Sequence, residues 1–211
     1  MNTLHYIYDP MCGWCYAAAP LIAAARRIDG LTIEMHAGGL WLGDQVKKVT
    51  PELRGYVLSN DERIAQLTGQ PFGEGYKNGL LTNTQAVLDS EPPIRAILVA
   101  QQMAGKGLDF LAAIQTAHFV EGREVSRLAT LSDIAESLGL NRTEFEQQFT
   151  SVAWQSHLQQ SHQLMAQWGM QGYPSMLLQR GEALGSINHS AFYGHPDEFA
   201  EQLQQLIQGA A

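Results

Sequence analysis

Cysteine is scarce in this chain. There are two in 211 residues, Cys12 and Cys15, so no disulfide framework holds it together. Basic residues are also few: 13 Lys and Arg against 21 Asp and Glu, a formal net charge of −8. No Lys/Arg stripe overrides that average, which excludes a nucleic-acid partner from expectation. No apolar run approaches the ~20 residues of a membrane helix, so no membrane partner is expected either. There is no internal repeat and no low-complexity linker. Met1-Asn2-Thr3-Leu4-His5 has no basic n-region and no small-residue cleavage site, and the expected location is cytoplasmic.

What is present is core material. Apolar residues make up 45% of the chain and charged residues 16%, enough for one compact domain or one domain carrying a large insertion. Leu4 to Tyr8 has β character, and Asp9-Pro10 breaks it. An Ala-rich helical stretch from Cys12 to Ile28 stops at Asp29-Gly30, and Leu31 to His36 alternates as a strand does. The first forty residues read strand, helix, strand, with the two strands parallel. From Pro51 to Gly169 the patterns are mostly helical, over 52–68, 91–105, 108–121, 131–138, 142–149 and 151–168. Ser90 and Asn141 are expected helix entries, and Gly73 to Thr84 an irregular loop. Ser175 to Gln179 and Ala183 to Ile187 read as strands, and Asp197 to Gln208 as an amphipathic helix. The expected organisation is a discontinuous sheet domain, 1–50 and 170–211, with a helical insertion over 51–169. Gly38-Gly39 and Gly43 let the chain leave the sheet.

The two cysteines form Cys12-Gly13-Trp14-Cys15. A bridge closing so small a loop removes only about 2 kcal/mol of chain entropy, so redox chemistry explains the pair better than stapling does. A helix start supplies unsatisfied N–H groups and a partial positive charge that favour a thiolate. Cys12 sits there, as the expected exposed nucleophile, and Cys15, three residues on, as the more buried resolving thiol. A zinc half-site is the competing reading. Zinc needs about four ligands, and only His157 and His162 offer a finger-like spacing, so no metal is expected. An inert buried pair is the third reading. Tyr173-Pro174 precedes a strand, where position alone suggests an ordinary turn proline.

Taken together, strand, C-x-x-C at a helix start, strand, helical insertion, and Tyr173-Pro174 before a strand pair and final helix resemble the thioredoxin superfamily, in its DsbA-like branch. Tyr8-Asp9-Pro10-Met11-Cys12-Gly13-Trp14-Cys15 resembles the predicted cytosolic protein-disulfide isomerases (FrnE-like) of that branch. Asp89-Ser90-Glu91-Pro92-Pro93 with Arg95-Ala96, and Phe119-Val120-Glu121-Gly122-Arg123-Glu124-Val125, are similar to family stretches as well. The resemblance implies an α/β thioredoxin fold interrupted by a large α-helical insertion. It also implies a cis Pro174 facing the cysteines, and a Tyr173 backbone that offers itself to an extended peptide.

Two departures stand out. Many relatives carry a buried acid six residues before the first cysteine, and this chain has Tyr6 there. Asp9 is the nearest carboxylate, and it reads first as a turn-former before Pro10. Trp14 stands where strong oxidants carry His, and a neutral indole cannot support a thiolate as imidazolium does, which predicts a milder Cys12.

Met11 and Trp14 are candidates for an apolar lip. Arg95 reads as a helix-surface partner of Glu91 or as a residue lining the family's cleft. Trp41, Trp154 and Trp168 read as core or interface, and His36, His118, His157, His162, His189 and His195 as solvent or capping residues. The expected function is thiol–disulfide exchange on protein thiols and disulfides, with no cofactor and with glutathione as a candidate thiol partner. The alternatives are a glutathione-dependent isomerase or transferase on the same fold, where a serine replaces the first cysteine, and a chaperone-like binder of unfolded protein.

Overall fold

The computed structural model describes residues 2–209. Strand β1 (Asn2–Tyr8) lies between β2 (Leu31–Ala37) and β5 (Ser175–Arg180), with β6 (Ala183–Ser186) outside β5. β1 runs parallel to β2, from Asn2↔Leu31 to Tyr8↔Ala37, and antiparallel to β5, with Ile7 opposite Ser175. Leu4 through Tyr8 are all buried. A strand covered on both faces loses polar alternation, which is why the segment reads as a continuous apolar and aromatic run.

Helix α1 (Gly13–Ala25) crosses from β1 to β2, and α8 (Pro196–Gln208) packs beside it. Pro20 lies inside α1 and cannot donate to the carbonyl of Tyr16. The Gln70 side chain donates to that carbonyl instead, at 3.0 Å. The proline thus opens a place for the middle of the chain to dock.

Between β2 and β5 come α2 (Pro51–Thr68), α3 (Glu91–Ala104), α4 (Gly107–Gln115), α5 (Leu128–Ser137), α6 (Arg142–Ser151) and α7 (Trp154–Gln167). Thr50 caps α2 and Asn141 caps α6 through side-chain oxygens that accept from Leu53 N and Glu144 N. One buried apolar cluster runs from Leu4, Leu21 and Met176 to Ile94, Phe110 and Phe145.

Several expectations are corrected. A short ladder, β3 (Lys47–Lys48) with β4 (Val87–Leu88), lies in the middle segment, where two-residue strands leave no period to read. The expected helix 108–121 is α4 followed by a wide turn at Thr116–Val120. The loop after Gly73 contains helical turns at Gly75–Gly79 and Leu80–Thr82. It docks there because Gly73 has no side chain; a Cβ would lie 1.9 Å from the Val120 carbonyl oxygen. The stretch 151–168 is not one helix: Ser151 ends α6, Val152 leaves the helical conformation, and α7 begins at Trp154. Ser90 stands at the entry of α3 as expected, but its hydroxyl accepts from Trp41 N at 3.1 Å instead of from the helix, and its own N–H donates back to Trp41 O. His36 and His118 are buried, and His157 accepts the Ala37 N–H at 3.1 Å, so these three are structural and not solvent histidines.

Arg95 is a staple within the helical segment. Its Nε donates to the Phe149 carbonyl and its Nη1 to Glu91, both at 3.1 Å, and the guanidinium lies 4.4 Å from the centre of the Phe149 ring. This joins α3 to the end of α6; the expected pairing with Glu91 is present, and the alternative of a residue lining the cleft gives way to a packing role. Arg95→Ala should cost about 1.5–3 kcal/mol, the range for hydrogen bonds involving a charged group, measured as a lower urea midpoint. An unchanged midpoint would contradict the staple.

Candidate active site

Asp9 organises the turn that carries the cysteines. Its carboxylate is fully buried. One oxygen accepts from Met11 N at 2.8 Å and the other from Leu40 N at 2.6 Å. The turn expected of Asp9-Pro10 is therefore present, and the same side chain also ties it to the loop after β2. Burial pushes the Asp9 carboxyl upward, while its backbone hydrogen bonds pull it down. The Asp9 N–H in turn donates to Cys15 Sγ at 3.4 Å.

Cys12 is the N-cap of α1, with extended backbone angles, and Gly13 is its first helical residue. Cys12 Sγ donates to the Tyr173 carbonyl at 3.6 Å. The Tyr173-Pro174 bond is cis, so the motif and the proline loop meet as the resemblance implies. Cys12 retains 7% of its surface and Cys15 none. Cys12 is thus buried and not exposed as expected, because the Tyr173 loop packs over it, although it remains the more exposed of the two sulfurs. Burial pushes the Cys15 thiol well up, and the Cys12 sulfur beside it pushes it further. Tyr6, in the place of an acid, donates its hydroxyl to the Cys15 carbonyl at 3.4 Å and stacks on Tyr8 at 5.4 Å.

The flanking residues are less exposed than a lip would be. Met11 is buried. Trp14 stacks on Tyr193 with ring centres 5.7 Å apart, and the Arg63 guanidinium lies 5.6 Å from its ring. The Tyr173 ring occupies the space over Gly38, where a Cβ would lie 1.8 Å from the ring. Gly38 is thus demanded by close packing.

The main residue that sequence reading missed is Asp61, on α2. A Cβ at Gly13 would lie 3.0 Å from Asp61 Oδ1, so glycine in the motif admits this carboxyl against the helix start. The other oxygen accepts from the Tyr76 hydroxyl at 3.0 Å. Burial pushes the Asp61 carboxyl up to about 7, with the Tyr76 hydrogen bond opposing. Asp61, Tyr76, Cys12, Trp14, Leu40 and Trp41 share one cleft of about 110 Å³. Trp41 Nε1 is buried with no partner among the described residues. The sequence signal for Asp61 was one acid on a polar helix among several, and only the approach to Gly13 singles it out.

The profile of the DSBA-like thioredoxin domain matches residues 3–195. The cytosolic disulfide reductase DsbM from Pseudomonas aeruginosa is 41% identical, with a TM-score of 0.92 over 99% of this chain and 100% of that one. A second structure of that reductase, with GSH, gives 39% identity and a TM-score of 0.89 over 98% and 99%. A candidate protein disulfide isomerase from Nitrosomonas europaea is 29% identical, with a TM-score of 0.82 over 100% and 99%. No match was found among curated proteins.

The raised Asp61 carboxyl makes stability depend on pH. The folded chain keeps a proton that the unfolded chain loses near 4, so this contribution is complete below that pH and is lost as pH rises to about 7. Asp61→Asn keeps an acceptor for Tyr76 but removes the titration. Between pH 5 and pH 8 the variant should lose less stability than the parent, by on the order of 2 kcal/mol. Urea unfolding at the two pH values measures this, and equal losses would exclude a proton held at Asp61.

Proposed function

This chain belongs to the DSBA-like thioredoxin domain family, and on that premise we propose that it reduces disulfides in the cytoplasm with glutathione as the electron source. It is a thiol–disulfide oxidoreductase; direction, thiol partner and residue roles are what the proposal adds. The observation that carries it is the asymmetry of the two sulfurs. Cys12 faces the cleft and the Tyr173 carbonyl, while Cys15 is sealed beneath with its thiol held protonated by burial. A disulfide reaching the cleft meets one sulfur and not the other. The likeness to a cytosolic reductase whose structure is also known with GSH supports the direction and the thiol.

The thiolate of Cys12 attacks one sulfur of the substrate disulfide. The substrate S–S bond breaks, its other sulfur leaves and takes a proton, and a Cys12–substrate mixed disulfide remains. Cys15 loses its proton, attacks Cys12 Sγ and expels the second substrate thiol. The substrate has gained two electrons, and Cys12–Cys15 is now the disulfide. Two glutathione molecules return them in turn, the first forming a mixed disulfide at Cys12 and the second leaving as glutathione disulfide.

Asp61, poised near neutrality beside the Cys12 turn, supplies and recovers the proton of the leaving sulfur. The Asp9 N–H steadies the Cys15 thiolate as it forms. Tyr173 and the free Trp41 Nε1–H hold the backbone of an extended peptide or of glutathione. Gly13 keeps Asp61 close, and Pro174 places the Tyr173 carbonyl.

Cys15→Ser should stop at the mixed disulfide and accumulate Cys12 adducts of glutathione and of protein, read by intact mass. Cys12→Ser should reduce no disulfide above background. Full turnover by Cys15→Ser without an adduct would shift the reading to a glutathione-dependent isomerase or transferase. Suppression of aggregation that survives loss of both cysteines would favour a binder of unfolded chains. Asp61→Asn should lower kcat about tenfold or more at neutral pH and flatten the pH profile near 7; an unaltered profile would remove Asp61 from the mechanism.

A further inference from the structure

On the sheet face opposite Tyr6 and Tyr8, three ligand-type side chains converge from two neighbouring strands. His5 on β1 and His36 on β2 are buried, and Glu34 on β2 is half exposed. His5 Nδ1 lies 3.0 Å from His36 Nε2 and 3.5 Å from Glu34 Oε2, and His36 Nε2 lies 3.9 Å from Glu34 Oε1. We propose that His5, His36 and Glu34 form a binding site for a divalent transition-metal ion of the zinc type, separate from the cysteine pair.

The spacing fits such an ion. A tetrahedral zinc with bonds near 2.0–2.1 Å sets its ligand atoms about 3.3 Å apart, and the two separations from His5 Nδ1, 3.0 Å to His36 Nε2 and 3.5 Å to Glu34 Oε2, bracket that value. Two imidazoles and a carboxylate are a donor set that zinc accepts.

The hydrogen-bond network points the lone pairs inward. Gln179 Nε2 donates to the Gly181 carbonyl at 3.1 Å, which fixes the orientation of its amide. Gln179 Oε1 must then accept from His5 Nε2, 2.9 Å away. The proton of neutral His5 is on Nε2, and Nδ1 faces the cluster as a lone pair. Without an ion, His36 Nε2–H donates to His5 Nδ1 and the Glu34 carboxylate beside them receives no proton from the pair. A cation satisfies His5 Nδ1, His36 Nε2 and the Glu34 carboxylate once His36 takes its Nδ1–H tautomer. The Gln179–His5 pair is the outer partner that metal-bound histidines ordinarily have.

The ligands are also held in place. Pairing of β1 with β2 sets His5 opposite Glu34 and Ile7 opposite His36. The Trp168 ring covers both imidazoles, with centres 4.8 Å from His5 and 5.7 Å from His36. His157 stands nearby, but its Nε2 is taken by the Ala37 N–H. The half-exposed Glu34 side leaves the fourth position to water.

The test uses the full chain with Cys12→Ser and Cys15→Ser, so that thiolates cannot take the ion. Calorimetry with zinc chloride should show one ion per chain, and saturating zinc should raise Tm. Glu34→Gln, at an exposed position that tolerates change, should weaken binding about tenfold or more. Gln179→Ala should weaken it about 10–100-fold through the outer partner. Absence of binding in the cysteine-free chain, or unchanged affinity in both Glu34→Gln and Gln179→Ala, would overturn the site.

Discussion

The register between β1 and β5 positions everything that follows. Ile7 pairs with Ser175, so the end of one strand and the start of its antiparallel neighbour lie side by side. The chain leaves β1 toward Cys12 at the same sheet edge where it enters β5 from Tyr173-Pro174. A sulfur and a carbonyl that are 161 residues apart come to 3.6 Å. A slip of one residue would turn Tyr6 and Tyr8 out of the core and separate the two halves of the site. The buried aromatic layer beneath α1 therefore secures the chemistry as well as the fold.

The helical segment completes that site. α2 brings Asp61 against Gly13, Tyr76 holds the carboxyl, and Trp41 closes one wall of the cleft. A buried carboxyl opposes folding whenever it ionises, and its retention beside a nucleophile fits a proton-transfer role. In the proposed mechanism the acid managing protons at this cysteine pair thus comes from α2. The position below, where relatives place an acid, is filled by Tyr6, which holds the Cys15 backbone through its hydroxyl.

The sheet separates two chemistries. One face, under α1, carries stacked tyrosines and the sulfur pair. The other carries His5, Glu34 and His36 beneath Trp168. Alternation along β1 keeps them apart, since Tyr6 and Tyr8 point one way and His5 the other. The same parallel pairing with β2 thus sets both the start of α1 and the spacing of the three ligand atoms.

Much of this was legible in the sequence. Cys12-Gly13-Trp14-Cys15 declared a redox pair because so short a loop makes a poor staple. Period and breaker residues located β1, α1, β2, β5 and α8, and Asn141 marked a helix start because capping is local. The two-residue strands, the wide turn after Gln115 and the docking of Gly73 escaped because long-range contacts make them. For the same reason the contact of Arg95 with Phe149 was not legible, Asp61 was one acid among many, and the histidines looked like surface. The sequence by itself determined where the two sulfurs lie and what elements surround them, because those signals repeat over neighbouring residues. Only the tertiary structure decided which carboxyl meets the motif and which imidazoles meet each other. Such meetings depend on strand register and helix packing between segments far apart in the chain.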